Sequence, residues 1–412
     1  MSAQHDERRT VAEHAEHVTE LLAGLTELGH DDVRLTAALG RATATDVVAS
    51  IDLPPFRNSQ MDGYAVTAAS VADAPVTLPS TDVVPAGPGA PLSLAPGTAI
   101  RIMTGGVLPD GADAVIPVED THRAGDAVEI LRGRAEGEFV RERGSDVTAG
   151  TVLLPAGTLL EPRHVALLAA VGLSTVAVLR RPRVAVLTTG AELVPAGTTL
   201  GPGEIYDSNG TALAASVLAN GGEVVLQTRS SDEPAEFAAL LAEATRSADL
   251  VLTSGGVSMG DFEVVKDSLA PRGSWFGHVA MQPGGPQGSG MIDGVPVLNF
   301  PGNPVSTLVS FDVFARPVLR AAAGLPPIDP RHALLAVALR SPAGKRQFLR
   351  GRWSGGRVET VAGPSSHLVA AMAWADVLID VPADTTELAA GESVTVLPLS
   401  PAVPSPTRQE SS

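Results

Sequence analysis

Apolar residues recur along this chain with two periods, and the switch between them marks its parts. Val18, Leu21, Leu22, Leu25 and Leu28 fall at helical spacing, which predicts an amphipathic helix over residues 11–28. A second short helix is expected over LTAALGRAT, residues 35–43. From Ile51 to about Asp146 the texture changes: short Val-rich runs such as ADAVIPVED and AVEILRG alternate with Gly/Pro turns, the pattern of an all-β insert. Residues 162–181, PRHVALLAAVGLSTVAVLRR, predict a helix and then a strand. This piece is expected to pack back on the N-terminal helices, so that 11–50 and 147–180 form one discontinuous domain around the 51–146 insert.

From Arg183 the rhythm becomes strand, helix, strand. RVAVLTTG, EVVLQTRS, DLVLTSGG and VPVLNF read as strands, separated by the helical stretches SNGTALAASVLANGG, DEPAEFAALLAEATRSA and FEVVKDSLA. A last helix, VSTLVSFDVFARPVLRAA, follows PGNP. This alternation predicts a doubly wound, mostly parallel α/β domain over 181–325. Short strands resume after it, giving a small C-terminal β domain over 326–400. The fold class is therefore multidomain α/β. Residues 1–10 and 401–412 are polar and read as disordered ends.

Composition narrows the chemistry. At 412 residues the chain exceeds one ordinary core. Aromatics are only 3% of it, so Val, Leu and Ala must build the cores. A net charge of −17 argues against nucleic acid or an anionic membrane as partner. Cysteine is absent, which excludes disulfides, thiolate nucleophiles and Cys-ligated metal centres. No signal peptide or long apolar run appears, so a cytoplasmic protein is expected.

In an open parallel sheet, ligands bind beyond the carboxyl ends of the strands. Thr188 to Glu192, Asp232, Ser254 to Ser258 and Pro301 to Pro304 follow the four strands, so they are expected to meet at one crevice. Gly255 and Gly256 let backbone amides approach a ligand, and PGNP opens a helix whose amino end favours an oxyanion. Glu192, Asp232 and Glu263 are hard oxygen donors suited to Mg²⁺. The crevice therefore reads as a site for an anion and a bridging cation, with phosphate-containing substrates fitting well. Blander readings stand beside each residue. Asp232 serves equally as a helix cap, Asp207 and Ser208 read as caps, and Asp62-Gly63 is a common hairpin corner. His14 and His17 have metal-clamp spacing but no third ligand nearby, so they read as a solvated helix face.

DLPPFRNSQMDGYAV, IRIMTGGVLPDGADAVIPVED, RERGSDV, LTTGAELV, GEIYDSNG, TSGGVSMGDFEVVK and NFPGNPVS occur in this order. Together they resemble the molybdopterin molybdenumtransferase family, related to the E domain of gephyrin, over about residues 11–399. The resemblance implies an enzyme that inserts molybdate into adenylylated molybdopterin and releases AMP, with Mg²⁺ as cofactor. It implies an elongated homodimer whose crevice is completed by the β insert of the other subunit. By motif match the acidic functional positions are Asp62, Asp146, Glu192, Asp232 and Glu263, and the threonine of the MTG motif is Thr104. Ser254, Gly255, Gly256 and Ser258 would cradle phosphate. Pro301, Gly302, Asn303 and Pro304, with Arg350 and Ser366, would hold molybdate. Glu192 and Glu263, with Asp232, would hold the cation, while Asp62, Asp146 and Thr104 would face the pterin.

The chain departs from the family pattern at three lysine positions, which read His278, Gln282 and Gly285. Either anion binding is weakened or His278 carries a proton beside the bound oxyanion. These losses also motivate an alternative: a protein that binds molybdopterin or its cofactor, or acts as a scaffold, and turns over poorly.

Overall fold

The computed structural model describes residues 8–257 and 263–401. The chain divides into two compact units: residues 32–178 form one, and those up to Asp31 with those from Leu179 onward form the other.

In the 32–178 unit the expected all-β insert is a six-stranded sheet of β1 (Gly63–Val66), β2 (Val76–Val84), β3 (Ala99–Ile102), β4 (Ala114–Pro117), β5 (Thr121–Ala124) and β6 (Ala127–Ile130), in the order β4-β1-β3-β2-β6-β5. Alternate residues of a strand point to opposite faces. Tyr64 and Val66 accordingly pack with Ile116, Val128 and Ile130 on one side. Ala65 packs with Ile100, Ile102 and Val115 on the other. A further core joins Leu35, Ala38 and Val47 to Leu154, Leu160, Leu168, Val176 and Val178. The helix expected over 35–43 shrinks to a 3₁₀ turn, Leu35–Ala37. The amides beyond it are claimed from across this core, Gly40 N–H by Leu160 C=O at 2.8 Å and Thr43 N–H by Thr158 C=O at 3.0 Å.

In the other unit β7 (Arg183–Thr189), β8 (Glu223–Ser230), β9 (Leu250–Ser254), β10 (Trp275–His278), β12 (Pro286–Ile292) and β13 (Val295–Phe300) form a sheet in the order β8-β7-β9-β13-β12-β10. β8, β7, β9 and β13 run parallel, and the hairpin β12–β13 and β10 add an antiparallel edge. The two faces of β7 and β9 are sorted residue by residue. Val184, Val186, Leu250 and Leu252 face one core with Leu213, Val305 and Phe311. Ala185, Leu187 and Val251 face the other with Phe237, Leu241, Val265 and Leu269. Both faces are covered, which is why these strands read as nearly continuous apolar runs. Each fully buried aliphatic side chain contributes about 1.5–3 kcal/mol.

The N-terminal helix is α-helical over Val11–Leu21 and 3₁₀ over Ala23–Glu27. Thr10 and Glu13 form a reciprocal capping box that satisfies its first amides. Its apolar stripe, Val11, Val18, Leu22 and Leu25, packs on the α/β core. Residues 162–178, expected to pack on the N-terminal helices, belong to the 32–178 unit, where Leu168, Val176 and Val178 pack with Leu35 and Ala38. His14 also departs from expectation: it is 1% exposed, packed between Trp275 and Phe314, not on a solvated face. The last α/β helix starts at Pro304, loosens to a π turn over Phe311–Ala315 and resumes at Arg316. Pro317 has no N–H for the carbonyl of Val313, and the helix widens just before it.

The C-terminal sheet comprises β11 (Met281–Gln282), β14 (Arg331–Leu334), β15 (Arg346–Ser354), β16 (Arg357–Thr360), β17 (Val377–Val381) and β18 (Ser393–Pro398). Its order is β11-β15-β17-β18-β14, with β16 paired to β15. β11 comes from the α/β segment, and this register sets Gln282 beside Gln347. Among the described residues no helix is long and apolar enough to cross a membrane.

Candidate functional site

The parallel strands β8, β7, β9 and β13 all end on one edge of their sheet. The residues just beyond them surround a cavity of about 980 Å³. Thr189, Gly190 and Glu192 come from the end of β7, Asp232 from that of β8, Ser254, Gly255 and Gly256 from β9, and Pro301 to Pro304 from β13. Glu263 lines it from the start of the helix Val264–Leu269, and Ser365, Ser366 and His367 from the C-terminal domain. Ser258 lies outside the described residues.

Asn209 holds the strand ends in register. Its amide donates to Ser254 Oγ at 2.9 Å and to the Gly302 carbonyl at 2.7 Å. Ser254 Oγ also meets Thr307 Oγ1 at 3.1 Å, and Thr307 donates to the Pro301 carbonyl at 2.6 Å. Asn209 was missed from the sequence. The signal was there in YDSNG, where Asp207 caps the helix Ser208–Ala219 by accepting from Gly210 N–H at 2.8 Å, which presents residue 209 to the cavity. The other Asp207 oxygen accepts from Thr188 Oγ1 at 2.7 Å, so Asp207 is a cap, as expected. Thr189 Oγ1 is buried and has no hydrogen-bond partner among the described residues.

Gly255 has φ +100°, and a Cβ there would lie 2.7 Å from the Thr189 carbonyl oxygen. Only glycine fits that turn. Its amide, however, donates to the Phe300 carbonyl at 3.1 Å, so it holds β9 to β13 and is not offered to a ligand. The helix beginning at Pro304 is also partly used: Val305 N–H donates to the Ser366 carbonyl at 3.0 Å.

The carboxylates divide in role. Glu192 is exposed at the cavity, its carboxylate lying against Gly190. Asp232 is not the helix cap. The capping position is Glu233, and Asp232 Oδ2 accepts from Ala191 N–H at 3.2 Å, tying the loop after β8 to that after β7. Among the described residues no three carboxylates or imidazoles gather to hold one ion. Glu192, Asp232 and Glu263 are thus not a preformed three-ligand cage. Their hard oxygens fit the sparser set that Mg²⁺ takes, one or two carboxylates completed by substrate phosphates.

Arg350 does not line the cavity. It is 3% exposed and donates to the carbonyls of Ser365, at 2.9 Å, and Gly363. Its Nε is buried without a hydrogen-bond partner among the described residues, and burial lowers its pKa from the ordinary arginine value. Arg350 therefore clamps the backbone that presents Ser366. Of the three departing positions only Gln282 lines the cavity, its Oε1 accepting from Gln347 Nε2 at 2.9 Å. His278 is not among the lining residues; its Nε2 lies beside Gly285, between the lining residues Gly284 and Pro286.

Asp62, Thr104 and Asp146 belong to the 32–178 unit. Thr104 donates its N–H and its hydroxyl to Asp62 Oδ1, and Val118 N–H donates to the Asp62 carbonyl at 3.0 Å. The two Thr104 bonds hold the Asp62 carboxyl below its usual pKa, the N–H first among the causes. Asp62-Gly63 is not a hairpin corner. Gly63 is the first residue of β1, where a Cβ would lie 2.0 Å from the Ile116 carbonyl oxygen. Asp146 is exposed, its amide bonded to the Leu53 carbonyl at 2.9 Å, and no hydrogen bond links it to Asp62 or Thr104.

Three family models match successive parts of the chain. Residues 9–172 match the MoeA N-terminal region (domain I and II), residues 185–321 a probable molybdopterin binding domain, and residues 332–399 the MoeA C-terminal region (domain IV). The chain is 45% identical over 403 residues to molybdopterin molybdenumtransferase 2 of Mycobacterium tuberculosis, spanning 94% of this chain and 99% of the relative. It is 33% identical to the molybdopterin molybdenumtransferase of Haemophilus influenzae, over 89% of this chain and 93% of the relative. A crystal structure of the molybdopterin biosynthesis MoeA protein from Pyrococcus horikoshii OT3 superposes with a TM-score of 0.71 at 28% identity, over 95% of this chain and 100% of that one.

Proposed function

Because the chain belongs to the molybdopterin molybdenumtransferase family, we propose that it inserts molybdate into adenylylated molybdopterin and releases AMP, a step of molybdenum cofactor biosynthesis. The observation that carries this reading is the single cavity of about 980 Å³ at the four strand ends, lined by carboxylates, hydroxyls and glycines. That size suits a nucleotide-linked pterin.

In this reading Glu192 and Glu263, with Asp232, would hold Mg²⁺. When bound, such an ion would supply neutralising charge to the leaving phosphate. The protein's own part is positioning. Asn209 locks the β9 and β13 ends together, so the phosphate-cradling residues Ser254 and Gly256 and the Pro301–Pro304 turn keep a fixed spacing. Such preorganised polar groups stabilise developing charge without reorganising. Ser366 and the 301–304 turn receive molybdate, and Arg350 supports them from behind through residues 363 and 365. The parts of Asp62, Thr104 and Asp146 in pterin binding, a homodimer and a cytoplasmic location belong to the same proposal.

The scaffold alternative is not favoured, since the similar proteins spanning nearly this whole chain are named as transferases. Purified protein incubated with adenylylated molybdopterin, molybdate and Mg²⁺ is expected to release AMP and form molybdenum cofactor. Tight pterin binding with no AMP would return the binder.

A further inference from the structure

The charged side chains lining the cavity are Glu192, Asp207, Asp232 and Glu263, all acidic, and no lysine or arginine is among the lining residues described. An oxyanion entering this space meets repulsion from three sides: Glu192 beyond β7, Asp232 beyond β8, and Glu263 at the start of the helix Val264–Leu269. Asp207 adds to it, although both its oxygens are engaged by Thr188 and Gly210. One lining side chain is able to carry positive charge near neutral pH, the imidazole of His367.

His367 is also well placed. The loop before it is anchored twice, by Arg350 on the carbonyls of Gly363 and Ser365 and by Val305 N–H on the carbonyl of Ser366. Its own carbonyl accepts from Val369 N–H at 2.9 Å. The backbone is therefore held at 363, 365, 366 and 367, while no hydrogen bond among the described residues engages the exposed imidazole. That combination, a fixed backbone carrying an uncommitted donor, is what an anion site requires.

We propose that His367 is the cationic side chain that receives the molybdate oxyanion in this chain, beside the Ser366 hydroxyl. The inference rests on the proposed molybdate chemistry of the cavity. A charge-assisted donor of this kind is worth about 10- to 100-fold in affinity.

Calorimetric titration of the full-length protein with molybdate alone tests the proposal. His367→Ala is expected to weaken molybdate binding about 10- to 100-fold, and His367→Lys to hold it near the wild-type value. Wild-type affinity in His367→Ala, or a loss in His367→Lys as large as that in His367→Ala, would overturn it. AMP release separates this from the functional reading. A wild-type protein that binds molybdate through His367 yet releases no AMP would sink the transferase proposal alone. AMP release with His367→Ala unaffected in molybdate binding would sink this inference alone.

Discussion

Thr104 gives both of its donors to one oxygen of Asp62: the backbone N–H reaches Oδ1 at 2.7 Å and the hydroxyl reaches it at 2.8 Å. No hydrogen bond reaches Oδ2 among the described residues, so the pair fixes the carboxylate and leaves one oxygen facing out. The folded-state pKa of Asp62 is lowered, so its contribution to stability is present above the unfolded value and is lost as pH falls through the folded one. Thr104→Val removes the hydroxyl bond and keeps the N–H. The Asp62 carboxyl midpoint, followed by carbon NMR, is expected to rise in that variant. An unmoved midpoint would show that the hydroxyl contributes nothing.

Asn209→Ala removes the two hydrogen bonds that join the ends of β9 and β13. A cost of about 1–2 kcal/mol is expected. Urea unfolding measures it, and a midpoint equal to wild type would mean the strand ends are held without Asn209.

Gly255→Ala sets a methyl 2.7 Å from the Thr189 carbonyl oxygen and forces a side chain onto φ +100°. Both effects oppose the fold, and a loss of about 2 kcal/mol or more is expected. Thermal melting reads this directly, an unchanged transition being the contrary result.

Burial lowers the pKa of His14 from 6.5 to about 3. The neutral ring is what the core between Trp275 and Phe314 accepts. Below pH 6.5 the unfolded chain binds a proton that the folded chain refuses, so stability falls as pH falls. The slope is about 1.4 kcal/mol per pH unit until the folded group titrates. His14→Leu is expected to flatten the loss between pH 6.5 and pH 5, measured by denaturant unfolding at each pH. Parallel curves for the two proteins would contradict this.

What could be read in the sequence follows from how local the cause is. The apolar runs of β7 and β9 and the helices between them declared the α/β domain, because period and burial are local properties. The convergence of Glu192, Asp232, Ser254 and Pro301 followed from the parallel order alone. What stayed hidden depended on distant partners. Whether Arg350 faces the cavity or a loop is decided by the carbonyls of residues 363 and 365. His14 looked solvated because Trp275 and Phe314 are far off in sequence. The Asp62-Gly63 pair looked like a turn because the reason for glycine, the Ile116 carbonyl on the neighbouring strand, lies elsewhere.

The central claim is that the strand-end cavity carries out the transfer, and Glu192 tests it most directly. Its exposed carboxylate makes no hydrogen bond within the fold among the described residues, so Glu192→Ala is expected to melt as wild type does. AMP release from adenylylated molybdopterin, measured with molybdate and Mg²⁺ present, is expected to slow about a hundredfold, the usual loss of one strong electrostatic contact. An equal rate of AMP release from Glu192→Ala and wild type would contradict the account.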